Sequence, residues 1–387
     1  MNVQRWMSVR FFLFFMGWGI FLPYWTGYLV DGKNLSIEQA SVIMSIGLLM
    51  RGLSTITLYP MMKKTASDLR VLQWVSAAAF LLACSYIPAQ GYMPLLIITA
   101  LFNFFFPMLM PALDATAGSL TQHSQLRYAK ARSFGSIGFI CMVLIISMLS
   151  GAFGDQLFLG GMIVILAIFT ALTWTKAPDS VRLAPAATAE RPSFKKLFQV
   201  RHFPLILLLA ILLQGAHAAY YNYGYLYLQE LGVSKYYIGM IINVSVLFEI
   251  MLFTYADRLF KKWTPGMMFA LAAAGSTARW CIIYFFPNVE LFIVSQLFHS
   301  LSFALAHYAF MRFITANVPT NYLPSAQGLY ATFAQSFATA LMTFFATYLY
   351  TMSMQAAFLG MIVFTIPAFF IAFYIGRKQL SSTEKHA

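Results

Sequence analysis

Five charged residues within apolar stretches of the sequence are candidates for function, namely Arg51, Asp114, Arg132, Glu249 and Arg279. An unpaired charge in such surroundings is costly, so each one is expected to have a charged partner or water. The two acids and three arginines leave one positive charge in surplus, which predicts a bound anion, and a planar guanidinium group suits a carboxylate. Asp114, Arg132 and Arg51 are therefore predicted to bind a small solute. The alternative is structural: Asp114 would pair with Arg132 and Glu249 with Arg279, while Arg51 would extend to a polar surface.

A group of three residues, Glu249, Arg279 and His299, could carry a proton. A buried carboxyl group beside a guanidinium group can take up and release a proton when its surroundings change. An imidazole group titrates near neutral pH and could do the same. We therefore predict that Glu249, Arg279 and His299 couple proton movement to the function of the protein.

Another group of polar residues lies in the apolar stretch 203–229, where Gln214, His217 and Tyr221 are spaced at i, i+3 and i+7. Residues at these spacings share one face of a helix. Polar groups are costly against lipid, so this face is predicted to contact protein or a water-filled cavity and to bind the solute. The alternative is that the polar groups only join helices by hydrogen bonds. The neighbouring Tyr220 is predicted to be a packing or interface residue.

The first apolar stretch offers an aromatic face, with Phe21 and Trp25 one helical turn apart beside Pro23. Aromatic side chains in a cavity would suit a solute that contains a ring, so Trp25 is a candidate for solute binding. Because 17% of the chain is aromatic, packing or lipid contact is the alternative for any one of these residues.

Membrane-spanning helices must position these residues, because 60% of the chain is hydrophobic and only 10% is charged. A soluble domain carries about 25% charged residues. We predict an all-α integral membrane protein with twelve transmembrane helices, each of roughly 20 residues, the length that crosses a ~30 Å hydrocarbon core. The predicted spans are 8–29, 37–60, 70–88, 93–118, 130–153, 156–175, 203–229, 237–257, 265–286, 290–313, 326–350 and 355–375.

The distribution of basic residues predicts the orientation of the chain. With the N-terminus in the cytoplasm, 21 of the 25 Lys and Arg residues lie in cytoplasmic segments, and only Lys33 and Lys235 lie on the opposite side. This asymmetry follows the positive-inside rule, and it explains the net charge of +13 without nucleic acid as a partner. The even number of spans then places both termini in the cytoplasm.

The longest interruption of the apolar pattern, residues 176–202, contains three prolines and six basic residues and is predicted to be a cytoplasmic linker. It separates two predicted six-helix bundles, 1–175 and 203–387, the second of which ends in a short cytoplasmic tail. Six plus six spans around a basic loop favour the major facilitator fold, in which a solute binds near the membrane midplane. The number twelve alone would be weaker support, because other folds share it.

Two motifs resemble the proton-coupled lactose permease branch of the major facilitator superfamily, namely Pro111-Ala112-Leu113-Asp114 and Tyr128-Ala129-Lys130-Ala131-Arg132-Ser133-Phe134-Gly135. In that branch the matching acid and arginine lie eighteen residues apart, as Asp114 and Arg132 do here, and help to bind substrate. Arg279, His299 and Glu249 resemble the arginine of span nine, the histidine of span ten and the acid of span eight. The sequence departs from the branch at Ser302, which stands where a second acid follows the histidine.

A closer resemblance is to the phenylpropionate permease family of the same superfamily. It rests on Gly19-Ile20-Phe21-Leu22-Pro23, Leu213-Gln214-Gly215-Ala216-His217-Ala218-Ala219-Tyr220-Tyr221, Ala278-Arg279-Trp280 and Met311-Arg312. The resemblance implies proton-linked uptake of an aromatic carboxylate, such as 3-phenylpropionate, across a bacterial inner membrane. The expected partners are this substrate, the proton and the lipid bilayer. We expect a monomer that needs no cofactor and no metal.

Other functions stay open from the residues alone. The lactose permease motifs allow a proton symporter for a sugar or a nucleoside, and drug efflux is a further alternative. A membrane receptor or scaffold without transport would not need charged residues in its spans. An enzyme is not expected, because the sequence offers no nucleophile elbow or phosphate-binding loop, and His299 with His307 lacks a third metal ligand.

Overall fold

The structure, a computed structural model, describes residues 2–122, 126–175, 177–182 and 194–384. Twelve helices among these residues are long and apolar enough to cross a membrane, which confirms the predicted all-α fold. They are α1 (Val3–Gly32), α2 (Ile37–Thr65), α3 (Asp68–Ser85), α4 (Tyr92–Thr121), α5 (Tyr128–Phe153), α6 (Gln156–Trp174), α7 (Phe203–Glu230), α8 (Lys235–Leu259), α9 (Pro265–Phe285), α10 (Val289–Asn317), α11 (Thr320–Tyr350) and α12 (Met354–Lys378).

The chain packs as two compact units. The first comprises Met1–Ala189 with Ser234–Met240, and the second comprises Glu190–Val233 with Ile241–Ala387. In the first unit α1 packs against α5 and α6, and α2 packs against α4. In the second unit α9 packs against α12, and α7 packs against α11. Each unit therefore has helix pairs of its own that can hold buried side chains in place.

The predicted linker 176–202 is described only in part, since residues 176 and 183–193 lie outside the described residues. The described parts include two short helices, Asp179–Arg182 and Phe194–Gln199. The division into 1–175, 176–202 and 203–387 stays a prediction.

Several spanning helices are not regular α-helix along their whole length. The last turn of α1 is a π-helix, Tyr28–Gly32, and α4 contains a 3₁₀ turn, Phe106–Met108. Two longer π-helical segments occur in α10, at Ser300–Leu305, and in α11, at Tyr330–Ala338. Such segments frequently occur at functional sites.

Lys33 holds two neighbouring helix ends together in the first unit. It follows α1, and its Nζ donates hydrogen bonds to the carbonyl oxygens of Tyr86 at 2.7 Å and Ala89 at 2.8 Å, just beyond the end of α3. A cation is favourable there, because the carbonyl groups at a helix C-terminus carry partial negative charge. The side chain is buried, and burial lowers the pKa of Lys33.

The first turns of α8 are joined to the first unit by polar contacts. Lys235 Nζ lies 2.6 Å from the Asp155 carboxylate and 3.9 Å from the Asp31 carboxylate. The backbone N–H of Gly239 donates to the Ser147 hydroxyl at 2.8 Å. These contacts explain why Ser234–Met240 belongs to the first unit although the rest of α8 belongs to the second.

Glycines allow the backbones of α1 and α5 to approach closely. A Cβ atom added at Gly138 would lie 2.2 Å from the carbonyl oxygen of Phe12, and one added at Gly19 would lie 2.9 Å from the carbonyl oxygen of Phe139. Small residues at helix contacts are common in membrane proteins, where close packing drives helix association. The contact between α1 and α5 therefore depends on the absence of a side chain at these positions.

We predict that Gly138→Ala lowers the melting temperature of the purified protein, measured by intrinsic fluorescence in detergent. The added methyl group would strike backbone rather than a movable side chain, and such overpacking costs about 1–3 kcal/mol. Gly160→Ala on α6 is the matched control, because a Cβ atom there meets nothing within 4 Å. Equal melting temperatures for the two variants would contradict this account of the helix contact.

Candidate functional site

The helix α7 is interrupted at Ala216 and His217, where a single regular helix is predicted from the sequence. The cause is the His217 side chain, whose Nδ1 lies 2.9 Å from the Leu213 carbonyl oxygen, the normal acceptor for the His217 backbone N–H. That backbone N–H donates instead to the Gln214 carbonyl oxygen at 3.2 Å. A side chain that inserts into the hydrogen-bond ladder in this way breaks or kinks a helix.

These contacts also determine where His217 carries its proton. A carbonyl oxygen only accepts hydrogen bonds, so Nδ1 must donate to Leu213. In the neutral imidazole Nε2 is then the acceptor, and it lies 3.0 Å from the Ser302 hydroxyl, which donates. His217 is fully buried, and its contacts join α7 to the π-helical segment of α10.

Gln214 and Tyr221, the other two residues predicted on this face, lie on either side of the interruption. The Gln214 side chain is buried and donates from Nε2 to the Phe303 carbonyl oxygen at 3.3 Å. The structure thus brings Gln214 and His217 into hydrogen bonds with α10, as the structural alternative predicts. Tyr221 is partly exposed, and its ring stacks on the His217 imidazole with centroids 5.9 Å apart.

The residues of the predicted proton-coupling group form one hydrogen-bonded chain in the second unit. Arg279 Nη1 lies 2.7 Å from His299 Nδ1, and His299 Nε2 lies 2.8 Å from the Glu249 carboxylate. A guanidinium group only donates, so Nδ1 of His299 accepts and Nε2 carries the proton that is donated to Glu249. The connection between Arg279 and Glu249 therefore runs through a neutral imidazole, rather than through the direct ion pair of the alternative.

Aromatic rings enclose the guanidinium group of Arg279, which is fully buried. Its central carbon lies 4.2 Å from the ring centroid of Tyr220 and 4.8 Å from that of Trp280. The negative faces of aromatic rings stabilise a buried cation, so these contacts give part of the electrostatic stabilisation that a carboxylate would give.

Two residues of this cluster were not predicted from the sequence. Gln296 accepts a hydrogen bond from the Tyr220 hydroxyl at 2.9 Å and one from Arg279 Nη2 at 3.4 Å. A signal for Gln296 exists, because it is a polar residue three positions before His299 and so shares a helix face with it. Tyr220, predicted to be a packing or interface residue, contacts both Gln296 and the guanidinium group.

Asp114 and Arg132 lie on α4 and α5 of the first unit, and each contacts aromatic residues. The Asp114 carboxylate accepts a hydrogen bond from the Tyr128 hydroxyl at 3.0 Å. The guanidinium carbon of Arg132 lies 4.2 Å from the ring centroid of Phe15. Tyr128 was missed as a site residue, although it belongs to the motif that contains Arg132.

The other two candidates of the first unit have different surroundings. The guanidinium carbon of Arg51 lies 5.8 Å from the ring centroid of Trp18. Trp25 is fully buried, with ring centroids 4.9 Å from Tyr28 and 5.1 Å from Tyr86. Trp25 therefore lies in the packed interior of the unit, and its role as a ring-binding residue stays a prediction.

The chain is similar to transporters over nearly its whole length. It is 27% identical over 369 residues to a protein of Escherichia coli (strain K12) named "Probable 3-phenylpropionic acid transporter", with 95% of this chain and 96% of the relative covered. It is 24% identical to a maltose permease of Geobacillus stearothermophilus, with 97% and 95% covered. The solved structure of the nucleoside transporter NupG matches the fold with a TM-score of 0.80 at 15% identity, covering 97% of this chain and 98% of that one.

The model of one protein family, described as the MFS_1 like family, matches residues 4–372. This match includes α2 to α11 in whole, α1 except for Val3, and α12 as far as residue 372. The chain therefore belongs to the MFS_1 like family and is a multi-pass membrane transporter of the major facilitator type.

Proposed function

We propose that the protein takes up an aromatic carboxylate, such as 3-phenylpropionate, together with protons by alternating access. We place it in a bacterial inner membrane as a monomer, and the distribution of its basic residues supports a cytoplasmic location for both termini. The name of the Escherichia coli relative, a probable 3-phenylpropionic acid transporter, supports this choice of substrate. The observation that carries proton coupling is the chain of hydrogen bonds from Arg279 through His299 to Glu249.

The chemistry of this chain assigns the proton to Glu249. His299 cannot take a second proton while Arg279 donates to its Nδ1, because that nitrogen has no free lone pair. The Glu249 carboxylate has oxygen lone pairs available and is the remaining acceptor. A proton that enters the cluster therefore goes to Glu249, and His299 acts as a positioning residue.

Charge balance then couples the proton to an anion. With Glu249 ionised and His299 neutral, Arg279 and Glu249 cancel each other. Protonation of Glu249 leaves the buried guanidinium charge uncompensated, and a carboxylate substrate restores neutrality through a forked contact with Arg279. Moving only the proton or only the anion would leave a net charge in an apolar environment, which costs several kcal/mol and favours joint transport.

The remaining candidates keep proposed roles in substrate binding. The partly exposed Tyr221 offers a ring face to the aromatic group of the substrate. Gln214 and His217 provide polar groups next to it if their bonds to α10 open. Asp114, Arg132 and Arg51 of the first unit are proposed as further polar contacts, with Arg132 as the second guanidinium group for a carboxylate.

A neutral sugar or nucleoside is the second candidate substrate, and the similarity to a maltose permease favours it. In that case Glu249 would still carry a proton, but the substrate would bring no negative charge to compensate for the buried guanidinium group of Arg279. The two candidates therefore differ in whether substrate affinity requires a negative charge.

We predict that Glu249→Gln abolishes proton-driven accumulation of labelled 3-phenylpropionate in proteoliposomes while exchange of substrate across the membrane persists. Glutamine keeps the shape and a hydrogen-bond acceptor for His299 but takes up no proton. Exchange moves substrate in both directions without net proton movement, so it does not need the carboxyl group. Glu290→Gln, at an exposed acid in the first turn of α10, is the control and is expected to accumulate substrate like the wild type. Full accumulation by Glu249→Gln would remove this residue from proton coupling.

A pair of His299 variants separates positioning from proton carriage. Glutamine at this position can accept from Arg279 and donate to Glu249, so we predict that His299→Gln retains proton-driven accumulation at a lower rate. His299→Leu removes both contacts, so the buried charge of Arg279 loses this partner at a cost of about 3–5 kcal/mol. This variant is expected to lose uptake and to melt at a lower temperature. If His299→Gln exchanges substrate but no longer accumulates it, the proton resides on His299 and the assignment to Glu249 is wrong.

We predict that unlabelled 3-phenylpropionate inhibits the uptake of labelled 3-phenylpropionate at concentrations at least about tenfold lower than 3-phenylpropionamide does. The amide has the same ring and chain length without the charge, and a hydrogen bond to a charged group contributes about 1.5–3 kcal/mol. Maltose and uridine serve as competitors that test the second candidate. Equal inhibition by the acid and the amide, or inhibition by maltose or uridine, would favour a neutral sugar or nucleoside over an aromatic carboxylate as the substrate.

A further inference from the structure

A groove of about 530 Å³ lies between the N-terminal ends of α1 and α5 in the first unit. Its lining includes the basic side chains of Arg5 and Lys130 and the Ser8 hydroxyl, and none of the residues lining it is acidic. Gln4 also lines it, and its side chain accepts a hydrogen bond from the Arg127 N–H at 2.9 Å, which joins the starts of the two helices. The groove therefore combines positive charge with a fixed framework.

Part of the groove lining is apolar. Val9, Phe12 and Phe134 form this part. Because Arg5, Val9 and Phe12 follow one another along one side of α1, the groove changes from charged to apolar along the helix axis. A ligand that fits it has an anionic end and a hydrocarbon end.

Phe134 connects the groove to an exposed apolar stripe on α5. Phe134, Ile137, Ile145 and Met148 are 38%, 48%, 43% and 52% exposed. Their spacing places them on one helix face, and exposed apolar side chains on a spanning helix face hydrocarbon. Hydrocarbon that enters the groove can therefore continue along α5 without meeting a polar surface.

We propose that this groove binds one anionic phospholipid, with the phosphate group between Arg5 and Lys130 and an acyl chain along Phe134 and the stripe on α5. Neither residue belongs to the proposed transport cluster, so the proposal does not depend on the substrate. Under the orientation proposed above the groove opens to the cytoplasmic leaflet. The negative charge of the phosphate group would offset one of the two positive charges, and the acyl chain would fill the apolar part of the groove.

The proposal is tested by native mass spectrometry of the purified full chain with equal amounts of phosphatidylglycerol and phosphatidylcholine of matched acyl chains. We expect the wild type to retain phosphatidylglycerol selectively. Basic side chains near a membrane surface contribute about fivefold each to the binding of anionic lipid, so Arg5→Gln with Lys130→Gln is expected to weaken binding roughly 30-fold. Lys64→Gln with Lys261→Gln removes the same charge from exposed positions outside the groove and is expected to bind like the wild type.

Two further measurements distinguish a lipid site from other causes. Val9→Trp fills the apolar part of the groove without changing charge, and it is expected to weaken phosphatidylglycerol binding while leaving the melting temperature unchanged. Inorganic phosphate, compared with chloride at equal ionic strength, is expected not to displace the lipid. Equal losses in the two double variants would show nonspecific attraction to basic residues. Unchanged binding in Val9→Trp, or displacement by phosphate, would also overturn the proposal.

Discussion

The hydrogen bond from Arg279 to Nδ1 of His299 is the interaction on which the proposed site depends. Because a guanidinium group donates and never accepts, this single contact fixes the tautomer of His299 and aims its Nε2–H at Glu249. It also keeps the imidazole neutral, so the cluster holds one positive and one negative charge. Every proposed step, from proton uptake to anion binding, follows from that balance in a buried environment.

The second unit supports this contact from two sides. Tyr220 and Trp280 enclose the guanidinium group, and Gln296 accepts from both Tyr220 and Arg279. On the other side, His217 interrupts its own helix to reach Leu213 and presents Nε2 to Ser302 of α10. Ser302 stands where the lactose permease branch has an acid. It donates a hydrogen bond to the neutral His217 and adds no negative charge to the cluster.

The sequence alone was sufficient for the twelve helices and for the charged residues of the cluster, because long apolar stretches and the charges within them are local signals. It was insufficient for the interruption at His217 and the π-helical segment after His299, since both depend on where side chains and backbone meet in three dimensions. Aromatic residues were the least predictable. Trp25 packs inside its unit, whereas Tyr220 and Tyr128 contact charged groups, and nothing in their local sequence distinguishes these situations.

Asp114 and Glu249, the two acids proposed to take part in transport, have different partners. Asp114 accepts from the Tyr128 hydroxyl, and a phenol with its high pKa in water holds on to its proton. Such a partner fixes the orientation of the carboxylate through a single polar atom. Glu249 accepts from an imidazole, which has two nitrogens and transmits the position of Arg279 to the carboxylate. The fixed link from the buried Arg279 through His299 is the physical reason to propose proton coupling at Glu249, while Asp114 keeps its proposed role in substrate contact.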